Sequence, residues 1–349
     1  TVGYTVRGTT DDWYYSDSGH AKIIAMTPEV GTGTDGFWPA QNRILPLAQS
    51  TVWSNTYFAL SCGGYVAPVN TQLNKTSYNP GESGSIKVSF KNKGLMASQN
   101  VKIELASQSP YINITSATFN YNFVNSYYQD SLTLNFNILG SAPVNMGLPI
   151  LLTIKQNDTS IVHRQKVYVC IGAGTNTLSD SAENGMTNWT ATGGWNTSTV
   201  QSYSPTRSFS ESPTGNYTNS SVRTMTLTTG RNISTVPVTI LSFFTRFNIE
   251  PLDNAYVDVS SDNGTTWSSV KYFNGVQNEW KQEVLDITEL ANGSTTLKIR
   301  FTVVTNRNTV ADGWYVDNIK LTNYQDVLTG ITYVPEVPNV FSLEQNYPN

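Results

Sequence analysis

The sequence predicts a mostly β, multidomain protein, and three observations lead to this prediction. The chain has 349 residues, more than one ordinary domain needs, so two or three units are expected. Only 13% of the residues are charged, against about a quarter in an average globular domain, and Thr, Ser, Asn, Tyr and Gly make up the difference. Short alternating runs of apolar and polar residues, separated by turn residues, occupy most of the chain after Pro68.

Charge and hydropathy argue against two classes of partner. The formal net charge is −4 and the pI is near 5.3, and the Lys and Arg residues form no cluster that could neutralise nucleic-acid phosphates. No apolar run is long enough to cross a bilayer, so no transmembrane segment is expected. The chain begins at Thr1 without an initiator Met or a leader-like segment, and we expect a fragment whose upstream part is missing.

The two cysteines, Cys62 and Cys170, have no metal-binding or redox spacing. A disulfide between adjacent domains and two separate buried thiols are equally compatible with the sequence.

The first predicted unit, residues 1–66, has mixed α/β character. A short apolar run at residues 22–27 predicts a buried strand that ends at Pro28. Apolar residues then recur at helical spacing from about residue 39 to residue 60, which predicts one long amphipathic helix. Gly63 and Gly64 act as its stop signal.

Two all-β units and a tail follow. Residues 67–172 have the strand and turn spacing of an immunoglobulin-like β-sandwich. Residues 175–323 form a second β unit with more Trp and more turns, and residues 324–349 form a Pro-punctuated linker and tail. Strands of the second β unit are predicted at residues 238–244, 255–259, 297–301 and 314–321.

One turn in the second β unit has a recognisable pattern. Residues 261–267, Ser-Asp-Asn-Gly-Thr-Thr-Trp, resemble an Asp-box hairpin turn. In such a turn Asp262 would accept backbone N–H groups, Gly264 would supply a positive φ and Trp267 would pack beneath. A single copy indicates a structural turn and not an active site.

Three segments near the start occur in the order found in a known enzyme family. They are Tyr4-Thr5-Val6-Arg7-Gly8-Thr9-Thr10-Asp11-Asp12-Trp13, Met26-Thr27-Pro28-Glu29-Val30-Gly31 and Gly36-Phe37-Trp38-Pro39, and the predicted helix follows them. This order resembles the last part of the catalytic domain of zinc carboxypeptidases of the A, B and T type. The resemblance implies that residues 1–66 are a C-terminal α/β remnant of such a domain, a strand plus a long helix.

The resemblance also implies roles for three residues. Glu29 matches the general base, which takes a proton from a metal-bound water; a surface Glu at a strand end is the alternative. Tyr4 matches the Tyr that caps the substrate. Asp11 falls where family members that remove Lys or Arg carry an acid in the side-chain pocket, and a solvated turn or a cap is an equal alternative.

The zinc ligands of that family do not occur in this chain. They are a His-x-x-Glu pair and a distant His, and neither His20 nor His163 has that spacing. Because a catalytic zinc needs three protein ligands, we expect the parent protein to bind zinc through upstream residues and this fragment to be inactive.

The second β unit has a resemblance of its own, carried by residues 180–185 with Trp189 and Trp195, and by residues 212–217 and 312–319. These segments are similar to the jelly-roll modules of secreted bacterial metallopeptidases, of the immune inhibitor A and MAM type.

Such modules often hold a structural calcium, so the resemblance implies Glu183, Glu211 and Asp317 as candidate calcium ligands. The alternative is that these acids cap turns without metal. Exposed Trp and Tyr side chains of such a module could stack on sugar rings, although packing in the core is the more common role of Trp.

The last nine residues, 341–349, resemble the opening of the C-terminal sorting domain that the type IX secretion system recognises. This resemblance implies a bacterial parent protein that is secreted or held at the outer cell surface, with the secretion machinery as a partner. The alternative is an ordinary Pro-rich tail.

Two functions of different class follow from the sequence. The first is an exported zinc metallocarboxypeptidase that hydrolyses C-terminal residues of peptides or proteins, with the β units as spacers or binding modules. The second is a non-enzymatic surface protein that binds carbohydrate or mediates adhesion through its β units.

Overall fold

The computed structural model describes residues 13–14, 16–19, 30–31, 33–36, 38–291 and 293–326. Most of these residues lie in β-strands, so the prediction of a mostly β protein is confirmed. The strands form two β-sandwiches with separate cores, one within residues 66–171 and one within residues 178–321. The strand predicted at residues 22–27 lies outside the described residues.

A long helix precedes the first sandwich. Helix α1 (Gln41–Cys62) confirms the predicted helix, and the Gly63 N–H donates to the Leu60 carbonyl at its end. None of its residues is buried, and Leu45 and Trp53 are 66% and 64% exposed. A helix that closes an α/β catalytic domain must bury its apolar stripe against a sheet. Among the described residues no sheet covers this stripe, so the predicted role of the helix as a domain remnant is not supported.

The first sandwich contains eight strands: β1 (Val66–Leu73), β2 (Ser83–Asn92), β3 (Ser98–Ser107), β4 (Ile112–Ile114), β5 (Thr118–Val124), β6 (Gln129–Ile138), β7 (Met146–Gln156) and β8 (Ser160–Ile171). One sheet has the order β1–β2–β6–β4, and the facing sheet has the order β5–β3–β7–β8. Successive side chains of a strand point to opposite faces, which is why Leu134 and Phe136 of β6 are fully buried while their neighbours are exposed.

The second sandwich contains eleven strands and a short helix: β9 (Thr175–Asp180), β10 (Trp189–Thr192), β11 (Asn196–Ser198), β12 (Ser208–Ser210), β13 (Val222–Leu227), β14 (Val238–Ile249), β15 (Asn254–Ser260), β16 (Ser268–Phe273), β17 (Gly275–Asp286), α2 (Thr288–Ala291), β18 (Lys298–Val304) and β19 (Gly313–Asp326). One sheet has the order β10–β13–β18–β15–β16. In the other sheet β19 is central, with β14 and then β17 on one side and with β9, β12 and β11 on the other. The four strands predicted for this unit are confirmed as parts of β14, β15, β18 and β19.

The core of the second sandwich is built on aromatic side chains. Phe301 lies between Phe243 and Trp314, with ring centroids 5.4 and 5.5 Å apart and the rings steeply inclined. Such edge-on contacts between aromatic rings are favourable beyond the apolar area they bury. The Trp314 indole N–H donates to Thr245 Oγ1 at 2.7 Å, so the buried polar group of this Trp has a partner.

The Asp-box-like turn forms as the sequence predicts. The Thr266 backbone N–H donates to both carboxylate oxygens of Asp262, at 2.9 and 3.0 Å, and Gly264 has φ +91°. The Trp267 indole N–H donates to the Gly264 carbonyl, and the Arg300 guanidinium lies 4.2 Å from the centre of the Trp267 ring. These contacts make the segment a rigid hairpin turn.

Strand β19 also joins the two sandwiches. Its last residues, Gln325 and Asp326, pair in parallel with Met146 and Gly147 at the start of β7. Beside this pairing lies a small buried cluster that draws side chains from both sandwiches: Tyr168, Cys170, Val238, Ile240 and Tyr324. The two sandwiches therefore meet at a closed apolar interface.

Both cysteines are free thiols. Cys62 is exposed on helix α1, and Cys170 is buried in the interface cluster, where burial raises the pKa of its thiol. A buried thiol with a raised pKa reacts slowly, so the reactivity of Cys170 reports whether the interface is closed.

We predict that Gly147→Val opens this interface. A Cβ atom at Gly147 would lie 2.8 Å from Cγ2 of Val238, which is closer than two carbon atoms can approach. In a Cys62→Ser background, Cys170 should then react with a thiol reagent at least about tenfold faster than in the parent.

Gly140→Val is the matched control, because a Cβ atom at Gly140 would meet no atom within 4 Å. Equal reactivity of Cys170 in both variants would contradict the described interface.

Candidate functional site

The sequence-predicted peptidase residues and the sequence-predicted calcium ligands differ in their placement. Tyr4, Asp11 and Glu29 lie outside the described residues, as does the secretion-like segment at residues 341–349. Glu183, Glu211 and Asp317 all lie in the second sandwich. The structure shows which groups each of these three carboxylates contacts.

Asp317 lies on the face of β19 that points away from the core and is fully buried by a loop. Its Oδ2 accepts hydrogen bonds from the backbone N–H groups of Tyr203 and Ser204, both at 2.8 Å. Its Oδ1 accepts from the Ser204 hydroxyl at 2.7 Å and from the Asn318 N–H at 2.6 Å. Burial raises the pKa of this carboxyl, and the hydrogen bonds from Ser204 oppose that shift.

Glu183 contacts the far end of the same loop. Its Oε1 accepts from the backbone N–H groups of Thr206 and Arg207, at 3.0 and 2.9 Å, and the Thr206 hydroxyl donates to its Oε2. The hydrogen bonds from Thr206 lower the pKa of this carboxyl. Residues 203–207, here called the platform loop, are thus held by one carboxylate at each end.

Glu211 is the most deeply buried of the three acids. Both of its carboxylate oxygens accept from the Trp314 N–H, at 3.2 and 3.0 Å, and Oε1 also accepts from the Ser212 hydroxyl. Burial raises the pKa of Glu211 to about 7, although these hydrogen bonds favour the ionised form. Gly313 lies against this carboxylate, where a Cβ atom would come within 2.1 Å of Oε1.

The three carboxylates do not form one group. Among the residues that the structure describes, no three His, Cys, Asp or Glu side chains come together in a way that could hold a metal ion. Glu183 and Asp317 are connected through the platform loop, whereas Glu211 contacts the start of β19. Calcium binding at these residues stays a prediction.

Three aromatic side chains lie together on the outer face of the sheet formed by β17, β14 and β19, the face that points away from the core. Phe244 of β14 stacks on Tyr203 of the platform loop, with ring centroids 3.6 Å apart and planes 12° apart. Trp280 of β17 approaches Tyr203 with ring centroids 6.2 Å apart and planes 62° apart. Tyr203 remains 49% exposed. We call Tyr203, Phe244 and Trp280 the aromatic platform.

Polar side chains adjoin the aromatic platform. Arg246 follows Phe244 by two residues in β14 and therefore faces the same side of the sheet. Gln282 of β17 lies directly opposite Phe244 in the strand register. Within the described part of the chain, neither the Arg246 guanidinium nor the Gln282 amide has a hydrogen-bond or ion-pair partner. Both groups are available to a ligand.

The sequence patterns did not predict this site. The alternation in β14 is a usable signal, because it buries Phe243 in the core and therefore points Phe244 outward. The sequence around Tyr203 and Trp280 gives no such signal. Tyr203 reaches the site through the fold of a loop, and Trp280 reaches it through the pairing of β14 with β17.

A separate cleft of about 480 Å³ is lined by residues of β14, β16 and β17 and by Val69 of β1. Phe247 and Phe273 supply apolar lining. The Lys271 and Lys281 ammonium groups pair with the Glu283 carboxylate, at 3.3 and 3.2 Å. Both ammonium groups of this cleft are therefore held by one carboxylate.

No family model matches the chain, and no curated protein matches it. Solved structures of β-sandwich domains do match. One is described as a carbohydrate-binding module of the β-sandwich superfamily; it is 12% identical, with 74% of this chain and 98% of that chain covered and a TM-score of 0.30. A family 22 carbohydrate-binding module from Clostridium thermocellum is 14% identical, with 45% and 99% covered and a TM-score of 0.32.

A cleaved adhesin domain of Lys-gingipain from Porphyromonas gingivalis is 14% identical, with 43% of this chain and 98% of that chain covered and a TM-score of 0.30. At these identities and TM-scores, the similarities carry no conclusion about what this chain binds.

The carboxypeptidase interpretation of residues 1–66 is wrong. No peptidase family model matches the chain, and the described residues form mostly β-sandwiches. His163, the one described histidine of the two, lies within β8. The predicted hydrolase activity, its zinc and its peptide substrates are withdrawn with the family assignment.

The calcium prediction has a direct test in the melting temperature of the protein. An ion that binds only the folded state stabilises that state, so the prediction requires a higher melting temperature with calcium and a lower one with a chelator. Magnesium in place of calcium is the control. A melting temperature that neither calcium nor chelator changes would contradict calcium binding at Glu183, Glu211 and Asp317.

Proposed function

We propose that the second sandwich is a non-catalytic carbohydrate-binding module whose binding site is the aromatic platform on the outer face of its sheet. The observation that carries the proposal is the half-exposed Tyr203, stacked on Phe244 and flanked by Trp280. Exposed apolar groups that lie together in one patch mark interaction sites, and Tyr and Trp combine an apolar ring with a polar group.

The chemistry of the platform fits a sugar ring. A pyranose has apolar C–H faces that can pack on an aromatic ring, and hydroxyl groups around its rim that need hydrogen-bond partners. The platform supplies the apolar surface. Arg246 can donate to hydroxyls through its planar guanidinium, and the Gln282 amide can both donate and accept. This combination of apolar surface with a few convergent polar groups is typical of small-ligand sites.

The acidic group beneath the platform supports a binding role over a catalytic one. Asp317 of β19 lies directly opposite Phe244 of β14 in the strand register. Its two carboxylate oxygens accept four hydrogen bonds. A carboxylate whose two oxygens are both occupied by such hydrogen bonds stabilises the fold and is a poor general base for a ligand above it.

No described helix is both long and apolar enough to span a membrane. A location outside the cell, through the type IX secretion pathway, stays a prediction from the sequence.

We predict that Trp280→Ala and Tyr203→Ala each weaken saccharide binding by about tenfold, which corresponds to about 1.4 kcal/mol and to the loss of one aromatic stacking contact. Binding is to be measured by calorimetry and affinity electrophoresis against soluble oligosaccharides and polysaccharides with different backbone sugars. Both variants should keep the melting temperature of the parent within a few degrees, because both side chains lie on the surface.

Tyr272→Ala is the matched control, since Tyr272 is 63% exposed on β16 of the opposite sheet. Saccharide binding that survives both platform substitutions, or that Tyr272→Ala weakens equally, would contradict the proposed site.

A further inference from the structure

We infer that Asp317 and Glu183 are positioning residues that hold the platform loop in the conformation that places Tyr203 on Phe244. The inference rests on the proposed function, because it concerns the same site. It assigns to these two acids a task in ligand binding that neither performs by touching the ligand.

Asp317 fixes the start of the platform loop at the residue that matters most. Tyr203 provides both the exposed ring and one of the two backbone N–H groups that bond to Asp317 Oδ2. Asp317 itself lies in β19, opposite Phe244 in the strand register. One carboxylate therefore ties the Tyr203 backbone to the same sheet that carries the ring beneath it.

Glu183 fixes the end of the loop. It accepts from the Thr206 and Arg207 N–H groups, and it follows β9, which also pairs with β19. Arg207 is held a second time, because its guanidinium donates to Thr197 Oγ1 at 3.2 Å. One end of the loop is thus anchored to the central strand itself, and the other end to the turn that follows a strand paired with it.

The Ser204 hydroxyl lies between the two anchors, within hydrogen-bond distance of an acceptor in each. Its Oγ lies 2.7 Å from Asp317 Oδ1 and 3.0 Å from the carbonyl of Ser181, which belongs to the turn that carries Glu183. The platform loop contains no strand, so these side-chain bonds replace the ladder bonds that would otherwise order it. Without them, ligand binding would have to order the loop and would be weaker by that entropic cost.

The test uses the full chain with Asp317→Asn and Glu183→Gln, each alone and each combined with Tyr203→Ala. In Asp317→Asn, either orientation of the new amide turns its NH2 group toward at least one backbone N–H donor, so the substitution breaks part of the anchor without changing its size. Asp253→Asn is the matched control, because Asp253 is equally buried and accepts from the Tyr217 hydroxyl and the Asn306 N–H, away from the loop.

Two readouts are needed: the affinity for the saccharide that binds the parent, and the hydrogen exchange rates of the Tyr203, Ser204, Thr206 and Arg207 amides. We expect Asp317→Asn to lower the affinity about tenfold and to speed exchange of the first two amides. We expect Glu183→Gln to speed exchange of the last two, with a smaller loss of affinity because Glu183 is more exposed. In the Tyr203→Ala background, neither substitution should lower the affinity further.

Three outcomes would overturn the inference. Unchanged amide exchange in both variants would show that the carboxylates do not order the loop. An affinity loss that persists undiminished without the Tyr203 ring, or that Asp253→Asn reproduces, would show an effect that does not act through Tyr203. A parent chain that binds no saccharide overturns the proposed function and the binding role of these acids together, whereas the exchange data still decide whether the acids order the loop.

Discussion

The hydrogen-bonded pairing of strand β19 with its neighbours is the constraint on which the rest of the structure depends. β14 pairs with it along nearly its whole length on one side, and β9 and β12 pair with it on the other. Its last two residues pair with β7 of the first sandwich. Because side chains alternate between faces, this one strand directs Trp314 into the core and Asp317 to the outer face. Its end contributes Tyr324 to the interface between the sandwiches. A one-residue slip of this strand would exchange the two faces and remove the core and the outer-face site together.

The proposed site combines side chains on a rigid sheet with one side chain on a loop, and different interactions hold the two in place. Phe244 pairs with Gln282 of β17 and Arg246 pairs with Tyr315 of β19, so the relative positions of Phe244, Arg246 and Gln282 follow from the sheet alone. Tyr203 is not on a strand, and its position depends on hydrogen bonds from the loop backbone to carboxylates. Such bonds are strong because the acceptor is charged and partly desolvated. The loop therefore extends the aromatic surface beyond what the sheet can present.

Local patterns predicted local structure, and they did not predict the site. The alternation of apolar and polar residues after Pro68 predicted strands, and the turn at Asp262 was predicted from its own short sequence. The spacing of apolar residues predicted helix α1, but it could not show that Trp53 would stay exposed, since burial depends on what packs against a helix. The order of short segments that resembles a carboxypeptidase also misled, because short segments do not show what the rest of the chain packs around them. The contact between Tyr203 and Trp280 depends on tertiary pairing, for which the sequence holds no local signal.

The proposed site is tested most directly by a nuclear magnetic resonance titration that follows the indole N–H signals of the tryptophans while oligosaccharides are added. Binding at the aromatic platform predicts that the Trp280 signal shifts with ligand concentration, while the signals of Trp267, in the Asp-box-like turn, and Trp314, in the core, stay in place. A saccharide that binds and leaves the Trp280 signal unmoved, or a panel of saccharides of which none moves it, would contradict a carbohydrate site on this face.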